Sequence, residues 1–355
     1  VLEKILHKEK ASMPSSVWQS ALSAMKPKAV YLLDPEYFDT VFNPENQREI
    51  GRLTDIHPAP LDKKTCWDHP ELLREVEVIF ASWGVPLLDE KFLAATPKLR
   101  AIFYAAGTVK SFVTDAFWAS PVQLTSAYAT NAVPVAEFTV AQIVCLLKRI
   151  WPLTQAFRHP QGFRPLPVIP GCYGTTVGLI SLGSIARLVC EKLRGFDLKV
   201  IAYDPFLTQE EADQLNVRLC PLDEIFRTAD LVSLHTPWLK ETERLIRGHH
   251  FSSMKPNASF LNTARGAVVA EDEMIEVLKK RPDLLALLDV THPEPPVEGS
   301  PLYSLPNVIL TPHIAGSMQA ECGRMGREVI KEAERFFAGQ PMHWRLTKEK
   351  AATLA

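Results

Sequence analysis

The sequence predicts an α/β protein built from two parallel, doubly wound sheets, and three observations lead there. Short β-branched and aromatic runs alternate with helical stretches in two separate series, the pattern of strands buried on both faces. At 355 residues the chain is long for a single core. Between the two series lies a stretch, 134–150 (PVAEFTVAQIVCLLKRI), that is apolar on most faces and must be buried between domains or at a subunit interface.

In chain order, residues 1–26 are charged and weakly periodic and read as a helical or loose extension. Residues 27–130 form the first domain, with strands at 28–33 (KAVYLL), 76–80 (VEVIF) and 99–105 (LRAIFYA) and a helix over 36–53 interrupted at Pro44. Residues 131–316 form the second. Pro134 suits the first turn of its opening helix. Residues 151–172, rich in proline and aromatics, read as an irregular arm of the kind that covers a partner or a site. Six strands follow, at 176–181, 200–203, 231–234, 259–261, 284–288 and 308–310, with helices such as 184–193 and 271–280 between them. A long helix over 317–337, within the segment 317–345, returns the chain to the first domain, and 346–355 read as a loose tail.

Composition excludes several classes of function. Lys+Arg 39 against Asp+Glu 41 leaves a net charge of −2, so no basic face is offered to nucleic acid or anionic lipid. No uninterrupted apolar run approaches the roughly 18 residues of a membrane span. The six cysteines are scattered and form no CxxC pair, which argues against a zinc site or a disulfide framework. No metal is expected, and the thiols suit a reducing compartment. The opening VLEKILHKEK lacks the apolar core of a signal peptide and carries Glu3 and Glu9, so the cytoplasm is the default location.

The stretch Ser181-Leu182-Gly183-Ser184-Ile185-Ala186 follows a strand and opens a helix, the context of a dinucleotide fingerprint. Gly183 stands where backbone must approach a pyrophosphate, and Ala186 is small enough for helix–strand packing, while Ser181 occupies the place of the first glycine. Helix N-terminal amides then face the phosphate charge. Asp204 ends the next strand about 20 residues on, where a carboxylate grips ribose hydroxyls and repels a 2′-phosphate, favouring NAD over NADP. A turn aspartate before Pro205 would look the same. After the 231–234 strand come His235, Thr236 and Pro237. The histidine reads as a satisfied structural group, with its backbone and Thr236 able to line the nicotinamide end of a cleft.

Three polar landmarks each follow an apolar strand: Arg265 in Asn262-Thr263-Ala264-Arg265-Gly266, Glu294 in Thr291-His292-Pro293-Glu294-Pro295, and His313 in Thr311-Pro312-His313-Ile314-Ala315-Gly316. Ligands bind at the carboxyl ends of strands in open α/β sheets, so the three are expected to form one site. His313 can exchange a proton near neutral pH. A buried Glu294 would orient its ring, and Arg265 can clamp a carboxylate and polarise a carbonyl. Beside a nicotinamide, these groups suit hydride transfer to a 2-oxo acid.

Together these stretches resemble the D-isomer-specific 2-hydroxyacid dehydrogenase family from about Val76 to Arg324. The likeness is densest in ADLVSLHTPWLKETERLI, FLNTARGAVVAEDEMIEVL, LLDVTHPEPP and SPLYSLPNVILTPHIAG. The resemblance implies two Rossmann-like or flavodoxin-like domains, the cofactor domain inserted in the substrate domain. It implies an NAD-linked oxidoreductase acting on a small 2-hydroxy or 2-oxo acid, glyoxylate or hydroxypyruvate being examples. Arg265 would be substrate clamp and electrophile, Glu294 the partner of the histidine, and His313 the general acid/base. Cofactor contacts would come from Ser184, Ile185, Asp204, Thr236, Thr263, Ala264, Arg265, Asp289 and the segment from His313 through Ala315 to Gly316. Substrate would meet Arg265, His313 and the loop Ala106-Gly107-Thr108, where Thr108 and Lys110 replace the family's glycine and aspartate. The family is usually dimeric through its cofactor domain, which suits a homodimer using the 134–150 helix and the following arm. C-terminal-binding-protein corepressors share the fold and the three polar residues, so an NAD-gated peptide-binding module is the alternative, its discriminating region being 28–127.

Overall fold

The computed structural model describes residues 26–158, 166 and 168–354. The expected extension, apart from Lys26, and the middle of the 151–172 arm therefore lie outside the described residues. The chain divides into two compact units: one takes the described residues up to Ala127 and then Cys322–Lys348, the other Tyr128–Glu321 and the residues from Glu349.

The first unit holds a five-stranded parallel sheet in the order β2-β1-β3-β4-β5. Its strands are β1 (Lys28–Leu32), β2 (Asp55–Leu61), β3 (Val78–Ala81), β4 (Ala101–Tyr104) and β5 (Gln123–Ser126). The order reverses between β1 and β3, a flavodoxin-like arrangement. β3 and β4, the central strands, are buried along their whole length. Neither edge strand is foreseen by hydrophobic pattern. β2 contains Pro58 and Pro60, which an edge strand tolerates because one side needs no N–H donor. β5 (QLTS) carries three polar residues in four.

The helix expected over 36–53 is broken. A short turn at Phe38–Val41 ends at Phe42, and α1 (Pro44–Leu53) restarts with Pro44 in its first turn. Asn43 caps α1 by accepting from Glu45 N at 3.1 Å and Asn46 N at 3.0 Å. The returning helix Ala320–Phe337 buries Met325, Val329, Ile330 and Ala333 in the core with Tyr31, Phe80 and Phe103. It lies directly on the 38–41 turn: a Cβ at Gly326 would stand 2.1 Å from the Val41 carbonyl oxygen. The expected loose tail is corrected. Residues 344–346 run antiparallel beside β5, with Leu346 N donating to Leu124 O at 2.8 Å, and Lys348–Thr353 form a helix. The apolar Leu346 and Ala351, both buried, hold what polarity alone would leave loose.

The second unit holds a seven-stranded parallel sheet in the order β12-β11-β10-β9-β6-β7-β8. Its strands are β6 (Thr176–Ile180), β7 (Lys199–Tyr203), β8 (Arg218–Leu219), β9 (Leu231–Leu234), β10 (Ser259–Asn262), β11 (Leu285–Leu288) and β12 (Val308–Leu310). The two-residue edge strand β8 is the one not foreseen. Alternate residues feed two cores. Val177, Leu179, Leu261 and Leu287 lie in one, while Ile180, Val232, Leu234, Phe260 and Leu288 lie in the other.

The first core is covered by α2 (Tyr128–Leu147) and α3 (Ser184–Leu193). α2 begins upstream of the expected start, so Pro134 sits inside the helix rather than in its first turn. With 20 residues and a mean hydropathy of 1.5, α2 is long and apolar enough to cross a membrane, contrary to the count of uninterrupted apolar residues. Half of it is buried, and Ala136, Ile143, Leu146 and Leu147 join α3 in the core of this unit.

Replacing Gly326 by alanine should force the returning helix off the Val41 carbonyl and destabilise the first unit by about 1–3 kcal/mol. Urea unfolding reads this directly, and unchanged stability would show that the two backbones do not bear on each other.

Candidate active site

The strand order of the second sheet reverses between β6 and β9, so the connections leaving these two neighbours diverge and open a crevice. After β6 the chain turns through Ser181 and Leu182 into Gly183, which precedes α3 without any side-chain cap. A Cβ built at Gly183 meets nothing within 4 Å, leaving the amides at the helix start open to a close ligand. Asp204 closes this end. Its carboxylate accepts from Leu182 N at 2.8 Å and Phe206 N at 2.9 Å, fixing a negative charge beside the turn with lone pairs to spare for hydroxyls. These residues fit a dinucleotide without a 2′-phosphate.

Ser181 answers for the missing glycine in an unexpected way. It adopts φ 71°, the left-handed region that costs a side-chain-bearing residue about 1–2 kcal/mol. Its hydroxyl lies 2.9 Å from Thr236 Oγ1. The neighbouring His235 is 7% exposed, and its Nε2 is 3.0 Å from Ser233 Oγ. Burial pushes this imidazole down to about 4, so it is neutral and its ring is committed within the fold. Only the backbone of His235, with Thr236 and Pro237, is left to face a ligand.

The three landmarks leave the carboxyl ends of β10, β11 and β12, which lie side by side. His313 Nδ1 and Glu294 Oε1 are 2.6 Å apart. Glu294 is more open than expected, its side chain 41% exposed, because it stands on a turn between prolines beyond the strand end. Arg265 is partly buried, and burial pulls its guanidinium below its ordinary pKa while the charge of Glu294 opposes that shift. Its Nη1 donates to Ala264 O at 2.6 Å.

Several residues that hold this arrangement carry no recognisable sequence signal. Gly266 lets the Arg265 turn rest on the Glu294 turn, since a Cβ there would lie 2.0 Å from the Thr291 carbonyl carbon. Asn262 accepts from Ala264 N at 3.0 Å and donates to Arg265 O at 3.2 Å, shaping the turn that bears the arginine. Glu271, at the start of α4 (Glu271–Lys280), accepts from His292 N at 3.1 Å; burial pushes its carboxyl up. Asp289, a residue implied to touch cofactor, binds the His313 turn. It accepts from Thr311 Oγ1 at 2.5 Å, Ile314 N at 2.9 Å and Ala315 N at 2.9 Å. Thr263 is likewise engaged, its hydroxyl 3.1 Å from Thr139 Oγ1, and Gly316 lies against Asn131.

The loop Ala106-Gly107-Thr108 belongs to the first unit, after β4. Ser126 Oγ lies 2.8 Å from Ala106 O and 2.5 Å from Gly107 O. In a planar trans peptide the N–H points opposite to the carbonyl. Both carbonyls face Ser126, so the Gly107 and Thr108 amides face away from it, two adjacent donors suited to a carboxylate. Thr108 Oγ1 accepts from Lys110 N at 3.4 Å.

One cluster among the described residues has metal-ligand chemistry: Asp223, His249 and His250, whose ligand atoms lie within 4.8 Å of one another. His250 Nδ1 accepts from Arg247 N at 2.9 Å, which places the ring proton on Nε2, facing Asp223 at 3.3 Å.

Two outcomes follow from this geometry. Gly266→Ala should separate the Arg265 and Glu294 turns and lower turnover by roughly 10²-fold with NADH binding retained; wild-type turnover would show the contact to be slack. His235 titrates near 6.5 when unfolded and at about 4 when folded. In between, the unfolded chain binds the extra proton, so stability is lost as pH falls through that window, by roughly 3 kcal/mol in all. His235→Asn should flatten the dependence of Tm on pH there, and an unchanged slope would assign the acid sensitivity to other groups.

Residues 140–315 match the family model for the D-isomer specific 2-hydroxyacid dehydrogenase NAD-binding domain. A D-3-phosphoglycerate dehydrogenase of Archaeoglobus fulgidus is 29% identical over 285 residues, 79% of this chain and 54% of that protein. One from Mycobacterium bovis is 31% identical over 253 residues, 71% of this chain and 48% of its own length. The chain thus spans about half the length of the curated relatives it matches. Among solved structures, the apo D-mandelate dehydrogenase of Rhodotorula graminis superposes with a TM-score of 0.77 at 24% identity, covering 91% of this chain and 98% of that one. A glyoxylate reductase from Paecilomyes thermophila gives 0.75 at 19%, covering 92% and 99%. The two-domain fold is common to these proteins, and NAD is the cofactor of the matched domain. With an open nucleotide-type turn, an acidic residue fixed beside it and a matched family model, residues 140–315 are a D-isomer specific 2-hydroxyacid dehydrogenase NAD-binding domain.

Proposed function

We propose that the chain is an NAD-linked dehydrogenase that interconverts a small 2-hydroxy acid and its 2-oxo acid. The observation that carries the reading is the 2.6 Å pairing of His313 Nδ1 with Glu294 Oε1, beside Arg265 on the neighbouring strand end. With Nδ1 donating to the carboxylate, Nε2 is the nitrogen left to exchange a proton with substrate. NADH, when bound, supplies the hydride. The remaining tasks fall to the protein. Arg265 holds the substrate carboxylate and draws electron density from the carbonyl oxygen, and its partial burial strengthens that pull. His313 Nε2 gives its proton to that oxygen in reduction and takes it back in oxidation. Glu294 balances the positive charge while the ring is protonated.

The relatives bear dehydrogenase and reductase names, which supports the enzymatic reading over the peptide-binding one. They differ in substrate: phosphoglycerate, mandelate and glyoxylate all occur among them. A homodimer through α2 belongs to the same proposal, supported by Ile150 and Phe157, which follow α2 and stand 40% and 58% exposed.

His313→Ala and Arg265→Ala should each lower kcat by 10²-fold or more while leaving NADH affinity nearly intact. A steady-state panel of glyoxylate, hydroxypyruvate and bulkier 2-oxo acids with NADH and NADPH measures this and names the substrate. Wild-type-like turnover in either variant would sink the mechanism.

A further inference from the structure

We propose that Ser181 is a positioning residue that locks the two halves of the dinucleotide crevice into one preformed cradle through its hydroxyl bond to Thr236. The proposal rests on the NAD-binding reading of this domain and concerns a residue that the fingerprint would replace with glycine.

β6 and β9 are neighbours in register, Ile180 opposite Leu234, and the connections after them diverge. Ligands bind in such a crevice, but divergence deprives its two walls of a shared backbone ladder. The last backbone tie between them is His235 N to Ile180 O at 2.9 Å. Beyond it, the Ser181–Thr236 hydroxyl pair at 2.9 Å carries the connection one residue further. Thr236 Oγ1 lies 3.4 Å from Ile180 O, so it can donate there and accept from Ser181, giving the chain of bonds a direction.

The other side of the same turn is tied to β7. Ser181 N donates to Tyr203 O at 2.8 Å, and Leu182 N to Asp204 Oδ2 at 2.8 Å. Ser181 is therefore the hub joining the open amides at α3, the ribose carboxylate and the Thr236 loop. Alanine at φ 71° would keep the unfavourable backbone without a bond to offset it; glycine would remove both. A residue held in a costly conformation with its one polar atom bridging two loops is placed for order. A cradle whose walls are already joined loses less freedom when the ligand arrives.

The test is a double-mutant cycle on Ser181→Gly and Thr236→Val, read as NADH affinity from quenching of protein fluorescence, with Tm beside it. Each single variant should weaken NADH about fivefold, the worth of one neutral hydrogen bond. The double variant should bind no more weakly than the weaker single, because both remove the same link. Ser181→Ala should lose as much affinity as Ser181→Gly and melt lower, since it keeps the strain. Wild-type affinity in Ser181→Gly, or single effects that multiply in the double variant, would overturn the proposal. Wild-type protein that fails to bind NADH at all would overturn the cofactor reading and this proposal with it, and that result is visible before any variant is made.

Discussion

The turn that carries His313 is held by one buried carboxylate. Asp289, 2% exposed at the end of β11, receives the Thr311 hydroxyl and the Ile314 and Ala315 amides on its two oxygens. Its carbonyl also receives His313 N at 3.0 Å. Hydrogen bonds to a charged acceptor are worth about 1.5–3 kcal/mol each, and a buried carboxylate without them would be strongly disfavoured. His313 itself sits at φ 54°, a strained backbone that persists because its neighbours on both sides are fixed. The imidazole thus owes its place to a residue that offers it no side-chain contact. The pairing with Glu294, the approach of Arg265 and the direction of Nε2 all presuppose that this turn does not move.

Much of this was legible in the residues. The strands before Glu294 and His313 are short and aliphatic, LALL and VIL, and the one before Arg265, SFLN, centres on Phe260 and Leu261; a parallel sheet brings such ends together whatever the loops do. Asp204 and Gly183 were legible because spacing along a strand–turn–helix unit is fixed by geometry. The edge strands were not. β2 carries two prolines and β5 is mostly polar, so neither shows the pattern of a strand buried on both faces. The tail was misread for the converse reason, since a few apolar residues among charges gained partners that only the folded unit supplies.

Inside the site, the roles that escaped the sequence are those defined by an empty space or a single atom. Gly266 matters because of what a Cβ would strike, and Ser181 because of where one hydroxyl ends up. Asp289, which resemblance implies as a cofactor contact, holds the His313 turn through both of its oxygens, and no spacing rule foretells that bonding. His235, by contrast, reads from the sequence as a satisfied structural group, and burial with the Ser233 hydroxyl makes it one.

The margins of the two sheets have a bearing on how copies of this chain can meet. In the first unit one margin, β2, lacks amide donors at Pro58 and Pro60, and the other, β5, is already paired with the chain's own residues 344–346. In the second, the outermost strands β8 and β12 are only two and three residues long. Blocked or abbreviated margins resist the strand-by-strand growth that leads to aggregates. Association between molecules is thereby steered away from the open-ended joining of sheets, leaving helical faces as the surfaces through which a closed, finite assembly can form.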